Sequence, residues 1–271
     1  MQIVENVPLS SLTTFKIGGV ARYVATCESV EDIQTALAFA REGGLPWYVI
    51  GGGSNILASD AGFAGVIIRP LLTELTFKPV NDQTLVTAGS GIVWDELVQE
   101  SVARGLWGLE NLSAIPGLVG GAPVQNIGAY GADVSDTLTH VDALDTSSGN
   151  VLRFSKEECV FGYRDSKFKQ DPTYILLRVA FTLTANGNPH INYADLTAYA
   201  LTGTALDTPL AIANAVKTIR ARKFPDLHVT GTAGSFFKNP TISKEKYSEL
   251  LVTYPELPGF SVPDSESIKL P

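Results

Sequence analysis

Five glycines and two prolines fall within residues 113–133, SAIPGLVGGAPVQNIGAYGAD, and almost no charge interrupts them. Glycines at this density let the main chain take φ > 0 and bring its N–H groups against a ligand with no Cβ in the way. The prolines fix φ and stiffen the turn. Gln125, Asn126 and Tyr130 add groups able to hydrogen-bond phosphate, ribose or the edge of a heteroaromatic ring. A second glycine cluster, Gly51-Gly52-Gly53-Ser54-Asn55, directly follows the apolar run 47–50. The chemistry open to both is anion binding by backbone dipoles. Each also has a plainer reading, a buried crossover for the first and a tight turn for the second. GGGSN lacks the G-x-G-x-x-G spacing and does not clearly open a helix, so the Rossmann fingerprint does not describe it.

The flanking pattern says what must position these loops. Residues 1–20 read as a polar lead-in with a short extended piece at 13–17 and a turn at Gly18-Gly19. A strand at 23–26 precedes a helix capped by Ser29 and stopped by Gly43-Gly44; strands at 47–50 and 65–68 follow. Strand, helix, strand and glycine loop make an α/β unit with the loop at a strand's end. Residues 72–88 alternate as two strands about Asn81-Asp82, and 93–104 read as an amphipathic helix ended by Gly105. A hairpin is expected at 141–144 and 150–154, a helical turn at 156–159 and a long β-rich run at 174–183. Thr208-Pro209 opens a helix closed by Pro225. Lys217, Arg220, Arg222 and Lys223 near its end suit the helix dipole. A helix capped by Ser243 runs through Leu251. No internal repeat or low-complexity linker appears.

At 271 residues the chain has room for two domains, or one large domain with an appendage. Hydrophobic residues are 45% and charged residues 18%, which supplies a core and argues against disorder. A net charge of −8 and a pI near 4.9 argue against nucleic acid as the main partner, while leaving room for a local cationic pocket. Cys27 and Cys159 are too few and too far apart for a disulfide framework or a zinc site. His140, His190 and His228 show no metal-ligand spacing, and His228 reads as a loop residue, so no metal is expected. With no basic-then-apolar start and no run of membrane-spanning length, the expected location is the cytoplasm, away from membranes.

Four segments lie in the order and spacing of one family. GGGSN at 51–55, IPGLVGGAPVQNIGAYG at 115–131, FGYRDSKFK at 161–169 and GTAGSFFKNP at 231–240 together resemble the UDP-N-acetylenolpyruvoylglucosamine reductase (MurB) family. The resemblance implies an α+β architecture, the FAD-binding fold of the vanillyl-alcohol-oxidase/PCMH type, with two α+β subdomains and a smaller α+β substrate domain. The bounds expected are 1–69, 70–206 and 207–271. It implies FAD and NADPH as cofactors, a UDP-sugar substrate, a role in peptidoglycan precursor synthesis and a monomeric protein. FAD is then expected against Gly51, Gly52, Gly53, Ser54 and Asn55, and against Ile115, Pro116, Gly117, Gly120, Asn126, Ile127 and Gly128. Arg164 in YRDS matches the family's arginine for the substrate carboxylate, and Ser235 in AGSFF matches its proton donor. Lys238 and Asn239 are expected to polarise that hydroxyl or hold substrate. Tyr193 matches the tyrosine that covers the UDP-sugar, and Lys223, Asn239 and Lys269 are expected at its diphosphate or uridine.

One departure accompanies the resemblance. In the family the SIKLP motif, here at 267–271, leads into further strands and helices and a catalytic glutamate. The expectation is therefore a C-terminally truncated reductase with an incomplete substrate domain. The alternative is a catalytically impaired flavin-binding fragment.

Overall fold

The polar start of the chain is a strand. In the computed structural model β1 (Gln2–Pro8) runs antiparallel to β2 (Val20–Cys27), pairing Gln2 with Thr26 and Pro8 with Val20. The expectation of a mere lead-in is corrected by this pairing. β1 is an edge strand that leaves most of its side chains exposed, so it carries little of the apolar alternation that marks a strand. The structure describes residues 1–227, 229–262 and 265–270; the loop expected at His228 and the end of the motif at Pro271 lie outside them.

The helix α1 (Val30–Glu42) starts where the Ser29 hydroxyl accepts the Asp32 N–H at 3.1 Å. Ile33, Ala36, Leu37 and Ala40 form its buried stripe. β3 (Trp47–Val49) and β4 (Phe63–Pro70) complete a four-stranded sheet in the order β1-β2-β4-β3, with β4 parallel to both neighbours. A parallel pair cannot close with a tight hairpin. The chain therefore leaves β3 at Ile50, loops through residues 51–62 and re-enters at β4, which places the first glycine cluster at a carboxyl end of the sheet.

β5 (Leu75–Val80), β6 (Gln83–Gly89) and α2 (Trp94–Ala103) follow. The second glycine stretch then folds into a small hairpin, β7 (Gly128–Ala129) with β8 (Ala132–Asp133). β9 (Leu138–Asp145), β10 (Val151–Ser155), the short α3 (Lys167–Gln170) and β11 (Tyr174–Thr184) come next. The larger sheet is antiparallel, ordered β10-β9-β11-β6-β5. β11 is its central strand and is covered on both faces. Ile175 and Leu177 join the α1 core, while Val179 and Phe181 face the core around Trp94, Leu97 and Val98. A register shift between Leu176 and Arg178 changes the phase of the alternation along this apolar run.

α4 (Ala194–Ala200) and α5 (Pro209–Lys223) pack together through Leu196, Ile212, Val216 and Ile219, alongside Trp107 and Tyr130. Thr208 caps α5 by accepting the Ala211 N–H at 3.2 Å. α3 and α4 are not foreseen in the sequence, being only a turn or two long. Packing divides the chain between Ala233 and Gly234, so α5 belongs with the two sheets, whereas the sequence reading starts its third domain at 207. The second unit, 234–271, holds β12 (Thr241–Ser243), α6 (Lys244–Thr253), β13 (Phe260–Ser261) and β14 (Ser267–Lys269), with sheet order β12-β14-β13. Ile268 is its buried anchor, and Tyr247 donates its hydroxyl to Leu257 O at 2.7 Å. Among the described residues no helix is long and apolar enough to cross a membrane.

Cys27 and Cys159 are fully buried, and burial pushes both thiols up to about 12. The nucleophile is the thiolate. Native protein at pH 8 is therefore expected to leave both cysteines unmodified by a thiol reagent over hours, with two equivalents reacting at once in denaturant. Fast labelling of the native protein would contradict this packing.

Candidate active site

The two glycine clusters, far apart in sequence, meet. A Cβ on Gly52 would lie 2.7 Å from Gly117 Cα, and Ser54 donates its hydroxyl to Pro116 O at 3.0 Å. Gly53 takes φ +63°, and a Cβ there would overlap Leu12 O and sit 2.8 Å from Thr13 Cα. Its carbonyl accepts the Thr14 N–H at 3.1 Å. Gly117, at φ +126°, is fixed from the other side, its carbonyl accepting the Trp94 N–H at 3.0 Å.

The amides divide by use. Those of Gly120, Asn126 and Ile127 are spent on Ser90 O, Pro123 O and Ala122 O at 3.0–3.2 Å. Among the described residues, the five consecutive N–H groups of residues 51–55 donate to no protein acceptor. Consecutive free amides in a glycine loop form an anion site. The residues present thus fit the diphosphate of FAD, with 51–55 as donors and 115–117 as the wall against them.

Arg164 sits in a tight turn in which Gly162 and Asp165 exchange backbone hydrogen bonds at 3.0 and 3.2 Å. It takes φ +55°, a left-handed conformation unusual for a long side chain. Strain of this kind is a pointer to function. Its Nη1 donates to Asn126 O at 3.1 Å and meets Asp133 Oδ1 at 3.3 Å, and Nη2 donates to Gly128 O. A guanidinium has five N–H donors. Nε–H and one Nη2 hydrogen therefore have no protein acceptor among the described residues. Asp133, rather than the neighbouring Asp165, is its ion-pair partner. Gly128 makes this possible, since a Cβ there would overlap Asp133 and stand 2.7 Å from Arg164 Nη1. The Asn126 side chain is spent on the protein, donating to Gly162 O at 3.1 Å and accepting the Ser135 N–H at 3.1 Å. Ile115 and Ile127 pack into the core.

Tyr193 stands edge-on against Tyr130, ring centres 5.3 Å apart, and is half exposed. Lys223 reaches Asp195 at 2.5 Å, and that carboxylate raises the lysine's pKa, keeping it charged. Arg220 donates from Nε to Ala114 O at 3.1 Å and lies over the Phe224 ring. Burial lowers its pKa, but an arginine stays protonated. The buried Glu110 has its carboxyl pushed up by burial, opposed by backbone N–H groups of which Gly108's is 2.6 Å away. Beside it Asn111 clamps this region, its amide donating to Tyr130 O at 2.9 Å and His190 O at 2.8 Å. Asn111→Leu strands two carbonyls, each costing about 1–3 kcal/mol when left unpaired in the interior. We expect a loss of about 2–4 kcal/mol in urea unfolding, and an unchanged midpoint would refute the clamp.

Ser235, Lys238, Asn239 and Lys269 lie in the second unit. Ser235 is exposed after Gly234 at φ +62°, with Phe236 and Phe237 also exposed, and Lys269 is paired in β14 opposite Thr241. Sequence reasoning assigned no role to Asn111, Asp133, Asp195 or Arg220. Arg220 showed only as a helix-end base, and the others carried no spacing signal.

A family model described as an FAD binding domain matches residues 21–155. The solvent-stable cholesterol oxidase shares the fold, with a TM-score of 0.50 at 14% identity over 68% of this chain and 37% of its own. The fold and the matched family model together define an α+β protein with an FAD-binding domain. The UDP-N-acetylenolpyruvoylglucosamine reductase of Pseudomonas aeruginosa is 41% identical over 97% of this chain and 78% of its own length. That of Ralstonia nicotianae is 42% identical over 95% and 77%. The crystal structure of the Thermus caldophilus MurB superposes with a TM-score of 0.66 at 28% identity, covering 100% of this chain and 88% of that one. The chain belongs to the UDP-N-acetylenolpyruvoylglucosamine reductase family, a family of flavin oxidoreductases.

Proposed function

We propose that this protein is an NADPH-dependent, FAD-mediated reductase converting UDP-N-acetylglucosamine-enolpyruvate to UDP-N-acetylmuramate, for peptidoglycan precursor synthesis in the cytoplasm, as a monomer. The observation that supports it most is the junction of residues 51–55 with 115–117, which leaves five amides for a dinucleotide's diphosphate. Bound FAD supplies hydride transfer from NADPH to the substrate's alkene.

The chain's own residues do the rest. Hydride arriving at C3 leaves negative charge at C2, delocalised onto the carboxylate. The remaining donors of Arg164 offer that carboxylate a permanently charged partner. Ser235 gives the proton to C2. An enolate is a strong base, so a hydroxyl is acid enough, whereas an ordinary carboxyl is already ionised at neutral pH. Lys238 and Asn239 polarise the hydroxyl or hold substrate. Tyr193, backed by Tyr130, covers the sugar, and Lys223 and Lys269 meet the diphosphate or uridine.

Anaerobic mixing tests this in two stages. NADPH should bleach the bound flavin, and the enolpyruvyl UDP-sugar should restore its colour. Bleaching without return would instead support a flavin-binding chain impaired in the second half-reaction. No bleaching would defeat both.

A further inference from the structure

Arg69 has no role in the scheme above, and its surroundings give it one. It is half-buried near the end of β4, its Nε lies in the interior without a hydrogen-bond partner, and none of its nitrogens pairs with a carboxylate among the described residues. Buried polar atoms are nearly always satisfied, so such an atom calls for a missing partner. Partial burial also costs a guanidinium some of its hydration, which an anion beside it would offset.

The strand register says where it lies. β3 and β4 are parallel, Val49 pairs with Ile68, and Ile50 donates its N–H to Ile68 O at 3.0 Å. One step further sets Arg69 beside Ile50 and Pro70 beside Gly51, the first residue of the free-amide loop. Side chains alternate across a strand. Val66 and Ile68 pack on the α1 side, while Ile67 packs with Ile50, Leu9 and Val24 on the other. Arg69 therefore shares the Ile67–Ile50 face. The glycine loop covers that same face, because Gly53 abuts Leu12 and Thr13 and Leu12 packs on the Ile67 core. A second orphan lies behind the other glycine stretch. Ser90 is 3% exposed, its hydroxyl has no partner among the described residues, and its Cβ would stand 2.7 Å from a Cβ placed on Gly120.

We infer that Arg69 is a binding residue for the diphosphate of the dinucleotide, adding a charged partner to the neutral amides of residues 51–55. The inference rests on the proposal that this loop takes FAD. It also explains how a chain of net charge −8 holds two phosphates with a loop that contains no basic side chain.

The test compares FAD with riboflavin, which has no phosphate, by fluorescence titration of the deflavinated full-length chain. Arg69→Gln should weaken FAD roughly 10- to 100-fold, the range for a lost charge-assisted hydrogen bond, and leave riboflavin unchanged. Arg69→Lys, which keeps the charge without the fork, should fall between wild type and Arg69→Gln and serves if the glutamine variant does not fold. Equal weakening of both flavins, or of neither, overturns the inference and makes Arg69 structural or idle. Wild type that takes up no FAD overturns the reading of the loop itself.

Discussion

Ser235→Ala is expected to slow reoxidation of the reduced flavin by the enolpyruvyl UDP-sugar by about 10²–10⁴-fold, the usual contribution of a positioned acid. Reduction of the flavin by NADPH should keep its wild-type rate, since no proton from Ser235 enters that half. The segment suits the role locally. Gly234 takes φ +62°, Ala233 and Gly234 add little bulk, and Ser235 is exposed. Exposure also makes the variant easy to interpret, because an exposed hydroxyl can be removed with little effect on folding, within about 0.5 kcal/mol for an ordinary surface site. Stopped-flow measurement of the two half-reactions separates the outcomes. Equal slowing of both halves would mean a disturbed structure, and no slowing of the second would remove Ser235 from the chemistry.

Gly53→Ala is expected to abolish stable FAD retention and to lower folding stability by several kcal/mol. Two costs combine. An L-residue held near φ +63° loses about 1–2 kcal/mol, and overpacking typically adds about 1–3 kcal/mol. The atoms a new methyl would meet, Leu12 O and Thr13 Cα, are main chain and cannot swing aside. The loop must shift instead, loosening the Thr14–Gly53 hydrogen bond and misdirecting the free amides. Gly51→Ala is the matched control, since its Cβ would find only Leu118 Cβ at 3.9 Å and its φ is not left-handed. It keeps its N–H and should retain flavin. Similar flavin loss in both variants, followed by absorbance after gel filtration and by urea unfolding, would show that the loop's backbone conformation is not what binds.

Much of the local chemistry is legible in the order of the residues. Ser29 and Ser243 cap the helices they are expected to cap, and the apolar stripe of α1 faces the core, because caps and periodicity depend on residues three or four apart. That the glycine clusters can bring main-chain N–H groups close to another group is legible for the same reason, since free φ and absent Cβ atoms are properties of the residue itself. β1 is not legible, because an edge strand draws its conformation from the neighbour it pairs with. The short helices α3 and α4 escape notice because their few turns depend on tertiary packing more than on propensity.

Other facts belong to the tertiary structure alone. Gly52 and Gly117 come from separate stretches, and only folding sets them against each other. Folding also chose Asp133 over the adjacent Asp165 for Arg164, spent the amides of Gly120, Asn126 and Ile127 on the protein, and gave those of 51–55 no acceptor among the described residues. The sequence by itself thus determined which segments could bind an anion and which residue types could stabilise charge or deliver a proton. Which of those groups remain available to a ligand was decided by long-range packing, because a hydrogen bond spent inside the protein is no longer there to give.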